Sequence, residues 1–249
     1  MSNCPVCSSE AFKFKKIITS NNAYFIYKCS NCRLEFTNPM PTNEVLDEFY
    51  ASYDDVRASI DVVNKNALRN INFLARLGLE SSSRVLDFGS GKNAFVSLGG
   101  DGWYSYDPHT SNCDRTVLKR ESYDAVTAWG VLEHVVDPVQ FTSQLCELLK
   151  REGLLILTTV DIDGNIPYRF KPPEHLTYWS QDAMGYLMER AGLRLVSYSP
   201  YFMVQHRQIY MDIMLRTMPA ELKHTVNYKE MPEFVEIPTN ETIVVARKL

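Results

Sequence analysis

Asp87, Gly89, Ser90 and Gly91 stand at the end of an apolar, β-branched run over 84–88, and Asp107 ends a second such run over 103–106. Glycines at the exit of a strand let the backbone take positive φ and approach a ligand closely, and a helix predicted over 92–98 offers unpaired N–H groups beyond them. A carboxylate at the C-terminal edge of the following strand can accept both hydroxyls of a ribose. This order of elements is the pattern of a nucleotide-cofactor site, which makes Asp87, Gly89, Ser90, Gly91 and Asp107 the cofactor-binding candidates. A structural turn without ligand is the competing use of the same residues.

A second chemistry is written near the N-terminus. Cys4 and Cys7, then Cys29 and Cys32, form two Cys-x-x-Cys pairs separated by hairpin-like alternation around Ser20-Asn21-Asn22. Paired thiolates at this spacing present four sulfurs tetrahedrally, and zinc is the natural occupant of a closed, structural site. A redox role competes, but one pair would suffice for it and neither lies in a thioredoxin-like context. The same ribbon interleaves Lys13, Lys15, Lys16, Lys28 and Arg33 with Phe12, Phe14, Tyr24, Phe25 and Tyr27. Single-stranded nucleic-acid binders use that mixture, and so does any small hairpin that packs one face and keeps the other soluble.

A third cluster is Glu133-His134, just beyond the strand predicted over 123–129 and before Asp137-Pro138, which opens a helix over 139–150. Residues at this edge of a parallel sheet face the ligand crevice. Histidine is suited to take a proton at neutral pH, and a structural cap or loop contact is its alternative use. After a fifth strand over 153–160, the loop over 161–180 carries Tyr168, Arg169, Lys171, His175, Tyr178 and Trp179. Donors and flat faces of this kind suit a sugar or an anionic small molecule. Tyr168, Arg169 and Tyr178 are the substrate-binding candidates, and His175 is the second candidate for base or substrate ligand.

Asp87 with Gly89 and Gly91 resembles the first motif of the class I S-adenosylmethionine (SAM)-dependent methyltransferases, with Asn93 where a third glycine is usual. A nicotinamide-binding Rossmann unit would place its glycines directly after the strand, and its last glycine falls on Ala94 here. The two cysteine pairs, the Asn38-Pro39-x-Pro41-Thr42 connector and the Leu132-Glu133-His134 motif resemble bacterial sugar C-methyltransferases and related glycan-cluster enzymes with an N-terminal zinc module. The resemblance covers the chain from Cys4 to about Gly192. It implies a Rossmann-like α/β sheet of seven strands, SAM as cofactor with Trp129 among its contacts, and proton abstraction by the Glu133-His134 pair. It also implies a small hydroxylated acceptor, a sugar or sugar nucleotide. An RNA methyltransferase guided by the ribbon and a non-catalytic SAM-binding scaffold are the alternatives.

These groups need elements to hold them. The expected organisation is a zinc ribbon over 1–38, a helical connector and cap over 39–80 with one long amphipathic helix over 54–77, and a methyltransferase domain over 81–249. The stretch from 108 to 123 is too short for the customary helix, strand and helix, so the sheet is expected to be shortened between its second and fourth strands, where the adenine contact usually lies. Strand six is predicted over 193–198, a Met-rich helix near 202–218 and strand seven over 242–247, with 219–240 carrying no readable pattern. With 249 residues, 45% hydrophobic, a net charge of −4 and a pI of about 5.8, the chain is an α/β protein with no global charge favouring nucleic acid or an anionic membrane. No run is long enough to span a bilayer and MSNCPVC lacks the parts of a signal peptide, so a cytoplasmic location is expected. No active-site metal is expected, since no acidic cluster for Mg²⁺ is evident.

Overall fold

A computed structural model of the chain describes residues 2–19, 23–51, 59–91, 94–109, 113–164, 170–219, 221 and 230–249. The cysteine pairs bracket a hairpin: β1 (Ser2–Asn3), β2 (Glu10–Ile18), β3 (Ala23–Cys29) and β4 (Glu35–Thr37) follow one another as antiparallel neighbours. The connector leads into α1 (Asn43–Ala51) and α2 (Ile60–Arg76). The long helix predicted from 54 is described from Ile60, because Ser59 is extended and its hydroxyl accepts the Val62 N–H as an N-cap. Residues 52–58 lie outside the described residues.

The glycine turn joins β5 (Val85–Phe88) to the short α3 (Ala94–Ser97), after which β6 (Trp103–Tyr106), β7 (Tyr123–Trp129), α4 (Pro138–Leu148) and β8 (Leu149–Val160) follow. Asp137 caps α4 through the Gln140 N–H, so His134 has no capping task there. β9 (Thr177–Tyr178), α5 (Gln181–Arg190) capped by Ser180, β10 (Leu193–His206), α6 (Arg207–Thr217) and β11 (Phe234–Lys248) complete the chain.

The main sheet has six strands in the order β10-β11-β8-β7-β5-β6. β6, β5, β7 and β8 run parallel, and β11 is antiparallel to both neighbours. Residues Leu154 to Val160 of β8 are all buried, as a strand covered on both faces requires. The shortening expected between the second and fourth strands takes the form of a missing strand. Among the described residues between β6 and β7 there is only a 3-10 turn, Arg115–Val117, whose Thr116 N–H is held by Asp114.

Two expectations near the C-terminus are corrected. Residues 202–206 are strand, not helix, and 234–240, within the stretch that carried no readable pattern, is its antiparallel partner. The pairing is non-local, which neither segment's periodicity reveals. α2 secures this extension: the Asn66 amide donates to Val204 O at 2.9 Å and accepts the Val204 N–H at 2.8 Å, standing in for a neighbouring strand.

The smaller sheet has the order β1-β2-β3-β4-β9. Its last strand comes from the loop after β8, so the ribbon and the large sheet share one core: Cys4, Cys32, Leu34 and Phe36 pack in the same cluster as Trp179, Met184 and Leu187.

Candidate functional site

The parallel strands end along one edge, and a cleft of about 560 Å³ opens there, lined by Phe88, Gly89, Asp107, Trp129, Gly130 and His134 among others. That volume is in the range of small-molecule sites. Gly89 has φ +74°, and a Cβ there would sit 2.6 Å from Val131 Cγ2, so only glycine lets the turn pass under Val131. The Gly91 N–H donates to Asp107 Oδ2 and the His109 N–H to Oδ1, both at 2.8 Å. These two bonds fix the Asp107 carboxylate at the end of β6, on the cleft lining. Trp129 also lines the cleft, packed between Phe95 and Tyr201, with Nε1 buried and lacking a partner among the described residues.

Asp87 does not line the cleft. It is buried beneath the turn and accepts a hydrogen bond from Thr127 Oγ1 at 2.6 Å. Burial pushes its pKa up to about 7, with the Thr127 bond opposing and the Asp107 charge adding to the rise. An acid raised in the folded state is neutral there while the unfolded chain ionises, so stability falls as pH climbs from about 4 to about 7. Asp87→Asn keeps the acceptor for Thr127 and removes the titration. The variant is expected to lose this fall, worth about 4 kcal/mol by the size of the shift, in denaturant melts across that range. A parental slope that survives unchanged in Asp87→Asn assigns it to another group.

The backbone turns sharply after β7 at Gly130, φ +63°, whose N–H donates to Thr158 Oγ1 at 2.9 Å, and a 3-10 turn over Leu132–His134 follows. Glu133 is buried and accepts from Thr159 Oγ1 at 2.9 Å. Burial first, then the charge of Glu241, pushes Glu133 up to about 8. His134 Nδ1 lies 2.8 Å from Glu174 O. A carbonyl only accepts, so Nδ1 carries the proton and the lone pair is on Nε2. Burial holds the His134 pKa below the ordinary imidazole value, against the opposing pull of Glu174. His175 is buried edge-on to His134, ring centroids 5.1 Å apart, and the ligating atoms of Glu133, His134 and His175 lie within 4.8 Å of one another.

The structure thus brings Gly89, Asp107, Trp129 and His134 to one cleft and places Glu133 and His175 behind its rim. Tyr178 is a correction. It is fully buried, its hydroxyl donates to His175 O at 2.9 Å and accepts the Lys171 N–H at 3.2 Å, and its ring packs on Phe170, which leaves no face for a substrate. Tyr168 and Arg169, like Lys92 and Asn93, lie outside the described residues. Glu241 is the residue that sequence reasoning missed. The first residues of an antiparallel strand land beside the C-terminal ends of the parallel ones, and Glu241 pairs with Val160. Its pKa is raised by burial, with Lys171 and Thr158 opposing.

The four cysteines form a separate site. Cys4 and Cys32 sulfurs are 3.6 Å apart, Cys7 and Cys29 3.4 Å, and all four lie within 4.8 Å of one another without a disulfide. A tetrahedron with metal–sulfur bonds of about 2.3 Å has edges of roughly 3.8 Å, so the donor set fits such an ion. The two knuckles repeat one form. Cys4 N donates to Ser9 O and Cys29 N to Leu34 O, and Ser8 and Arg33 each follow the second cysteine with positive φ.

The model of a methyltransferase domain family matches residues 62–198, more than half of the chain. The chain belongs to this methyltransferase family. The matched region is a methyltransferase domain, and a glycine turn beside the Asp107 carboxylate has the chemistry to suit the amino acid and ribose of a SAM cofactor. A SAM-dependent methyltransferase from Archaeoglobus fulgidus superposes with a TM-score of 0.52 at 16% identity, covering 83% of this chain and 100% of that one. The Burkholderia thailandensis 1,6-didemethyltoxoflavin-N1-methyltransferase, solved with 1,6-didemethyltoxoflavin and S-adenosylhomocysteine, gives 0.50 at 14% identity over 96% and 99%. These likenesses show the fold. A tRNA U34 carboxymethyltransferase from Idiomarina loihiensis is 31% identical over 104 residues, 39% of this chain, and the chain spans 31% of that relative's length. No helix among the described residues of the methyltransferase is long and apolar enough to cross a membrane.

Proposed function

We propose that the protein transfers the methyl group of SAM to a small hydroxylated acceptor, a sugar or sugar nucleotide, seated in the cleft beside His134. The Gly89–Gly91 turn and Asp107 would hold the cofactor, with Trp129 among its contacts. The observation that carries this reading is the His134 lone pair, fixed on Nε2 by the Glu174 carbonyl at the cleft wall. The donor methyl is already activated by its positive sulfur, so the protein has two tasks: to hold the acceptor in line and to take its proton. Nε2 takes that proton, the acceptor's electron pair forms the new bond to carbon, and the carbon–sulfur pair stays on S-adenosylhomocysteine. The test is a panel of nucleotide sugars and free sugars assayed for S-adenosylhomocysteine release with a mass gain of one CH₂ on the acceptor. Products on RNA alone would sink the small-acceptor reading.

The cofactor half has its own test. Asp107→Ala removes the partner of two ribose hydroxyls, each bond to a charged group being worth roughly 1.5–3 kcal/mol. SAM affinity measured by calorimetry is expected to fall at least tenfold. Unchanged affinity in the folded variant would remove Asp107 from the site.

Cys4, Cys7, Cys29 and Cys32 are proposed to hold one structural Zn²⁺, which closes the ribbon over 1–38 ahead of the connector over 39–80 and the catalytic domain over 81–249. An RNA acceptor is the second reading. Lys13 and Lys16 stand over Phe25, and Lys28 over Phe14, on a largely exposed ribbon face, and the relative from Idiomarina is named for tRNA. RNA binding that weakens steeply with salt would favour it.

A further inference from the structure

Glu133, His134 and His175 come from two loops and meet behind the cleft rim, and nothing in the methyl-transfer reading requires all three. Their ligating atoms lie within 4.8 Å of one another, close enough for small side-chain shifts to bring them onto one centre. Two of the three are also braced. Glu133 Oε2 accepts from Thr159 Oγ1 at 2.9 Å, and the proton on His134 Nδ1 is engaged by Glu174 O at 2.8 Å. Orientation of ligating imidazoles by a carbonyl or carboxylate on the far nitrogen is the usual support of a metal centre. Among the described residues Glu174 and Glu241 also act on Glu133, and a bound cation would let these acids ionise side by side.

We propose that Glu133, His134 and His175 form a site for a first-row divalent cation, open on the side of the acceptor. Two imidazoles and one carboxylate suit Mn²⁺, Fe²⁺, Co²⁺ or Zn²⁺, and three protein ligands leave positions for a substrate oxygen. The sequence shows no acidic cluster because Glu133, Glu174 and Glu241 belong to three separate segments.

This deepens the acceptor-methylation reading and rests on it. One lone pair cannot hold both an ion and a proton, so with the ion bound His134 ligates and the cation lowers the pKa of the acceptor hydroxyl. The hydroxyl proton then passes to water, the oxygen pair forms the carbon–oxygen bond, and the carbon–sulfur pair remains on sulfur.

The experiment titrates the zinc-loaded full chain with Mn²⁺, a hard ion that four thiolates disfavour, and follows the loss of the free-ion signal by electron paramagnetic resonance. One Mn²⁺ per chain is expected, with affinity at least tenfold weaker in Glu133→Gln, which keeps an acceptor for Thr159, and in His175→Ala. Circular dichroism checks that each variant is folded. Co²⁺ titration supplies a second measurement, since only the sulfur site gives thiolate-to-metal charge-transfer bands. A parent chain that binds neither Mn²⁺ nor a Co²⁺ lacking those bands would overturn the proposal, as would unchanged affinity in either folded variant. Because the readout is ion binding, its failure leaves acceptor methylation standing, and a failure to find an acceptor leaves the titration unaffected.

Discussion

His134→Ala is expected to bind SAM like the parent and to turn over about 10²–10⁴ times more slowly, the usual cost of removing a group that handles the reacting proton. The selectivity follows from placement. The proposed cofactor elements, Gly89 to Gly91 and Asp107, are tied to each other, the Gly91 N–H donating to Asp107 Oδ2 and the Gly89 N–H to Tyr106 O. The imidazole stands on a different element, the 3-10 turn after β7, and its Nδ1 is tied to Glu174 O. Truncating it therefore leaves the SAM contacts in place. The expectation is the same whether Nε2 accepts the proton directly or ligates an ion that ionises the acceptor. Calorimetry with SAM and steady-state rates on the true acceptor check both halves. More than about a tenth of parental kcat in the variant would place proton removal elsewhere. His175→Ala, by contrast, is expected to raise KM alone if that side chain only positions the acceptor.

How much of this was legible in advance depends on how local each signal is. The glycine turn, β6 and β7 were readable because their residues are contiguous: positive φ at Gly89, an acid just after β6, and a short, mostly apolar run in β7. The four sulfurs were readable because Cys-x-x-Cys is a geometric statement in itself. What escaped was non-local. The far halves of β10 and β11 are strands because they pair with each other across α6 and the segment beyond it, and propensity alone reads the first of them as helix. Glu241 reaches the site only through the antiparallel register that sets it opposite Val160. Tyr178 looked like a loop aromatic, yet β4 takes it as a strand partner at Glu35 and buries it. The same pairing shows that the ribbon is not a separate appendage to the catalytic edge.

That pairing sets up the largest expected effect. Cys7→Ser is expected to lower zinc content below one ion per chain and to abolish turnover, although Cys7 lies far along the chain from Glu133. β4 pairs with β9, Thr37 N donates to Leu176 O at 2.8 Å, and Leu176 N donates to Glu133 O at 2.6 Å, while Glu174 O fixes the His134 ring. The ribbon is thus two hydrogen bonds from the turn that carries the candidate catalytic pair. On the other side it grips α5, with Ser180 Oγ donating to Cys32 O at 2.6 Å and Arg190 Nη1 to Val6 O at 2.6 Å. A structural zinc contributes an apparent 10–16 kcal/mol in small modules, as much as the whole stability of a typical domain. Without it β1 to β4 have too little core of their own, β9 loses its partner, and the segment from Glu174 to Tyr178 no longer holds Glu133 and His134. Asp107 and the glycine turn, built on β5 and β6, do not depend on that chain of bonds. SAM binding in Cys7→Ser is therefore expected to outlast catalysis, which separates unlatching of the acceptor side from global unfolding. Cys146→Ser, at a buried thiol outside the four-sulfur group, is expected to keep both zinc and rate. A Cys7→Ser protein that has lost its zinc and still turns over at the parental rate would break the link between ribbon and site.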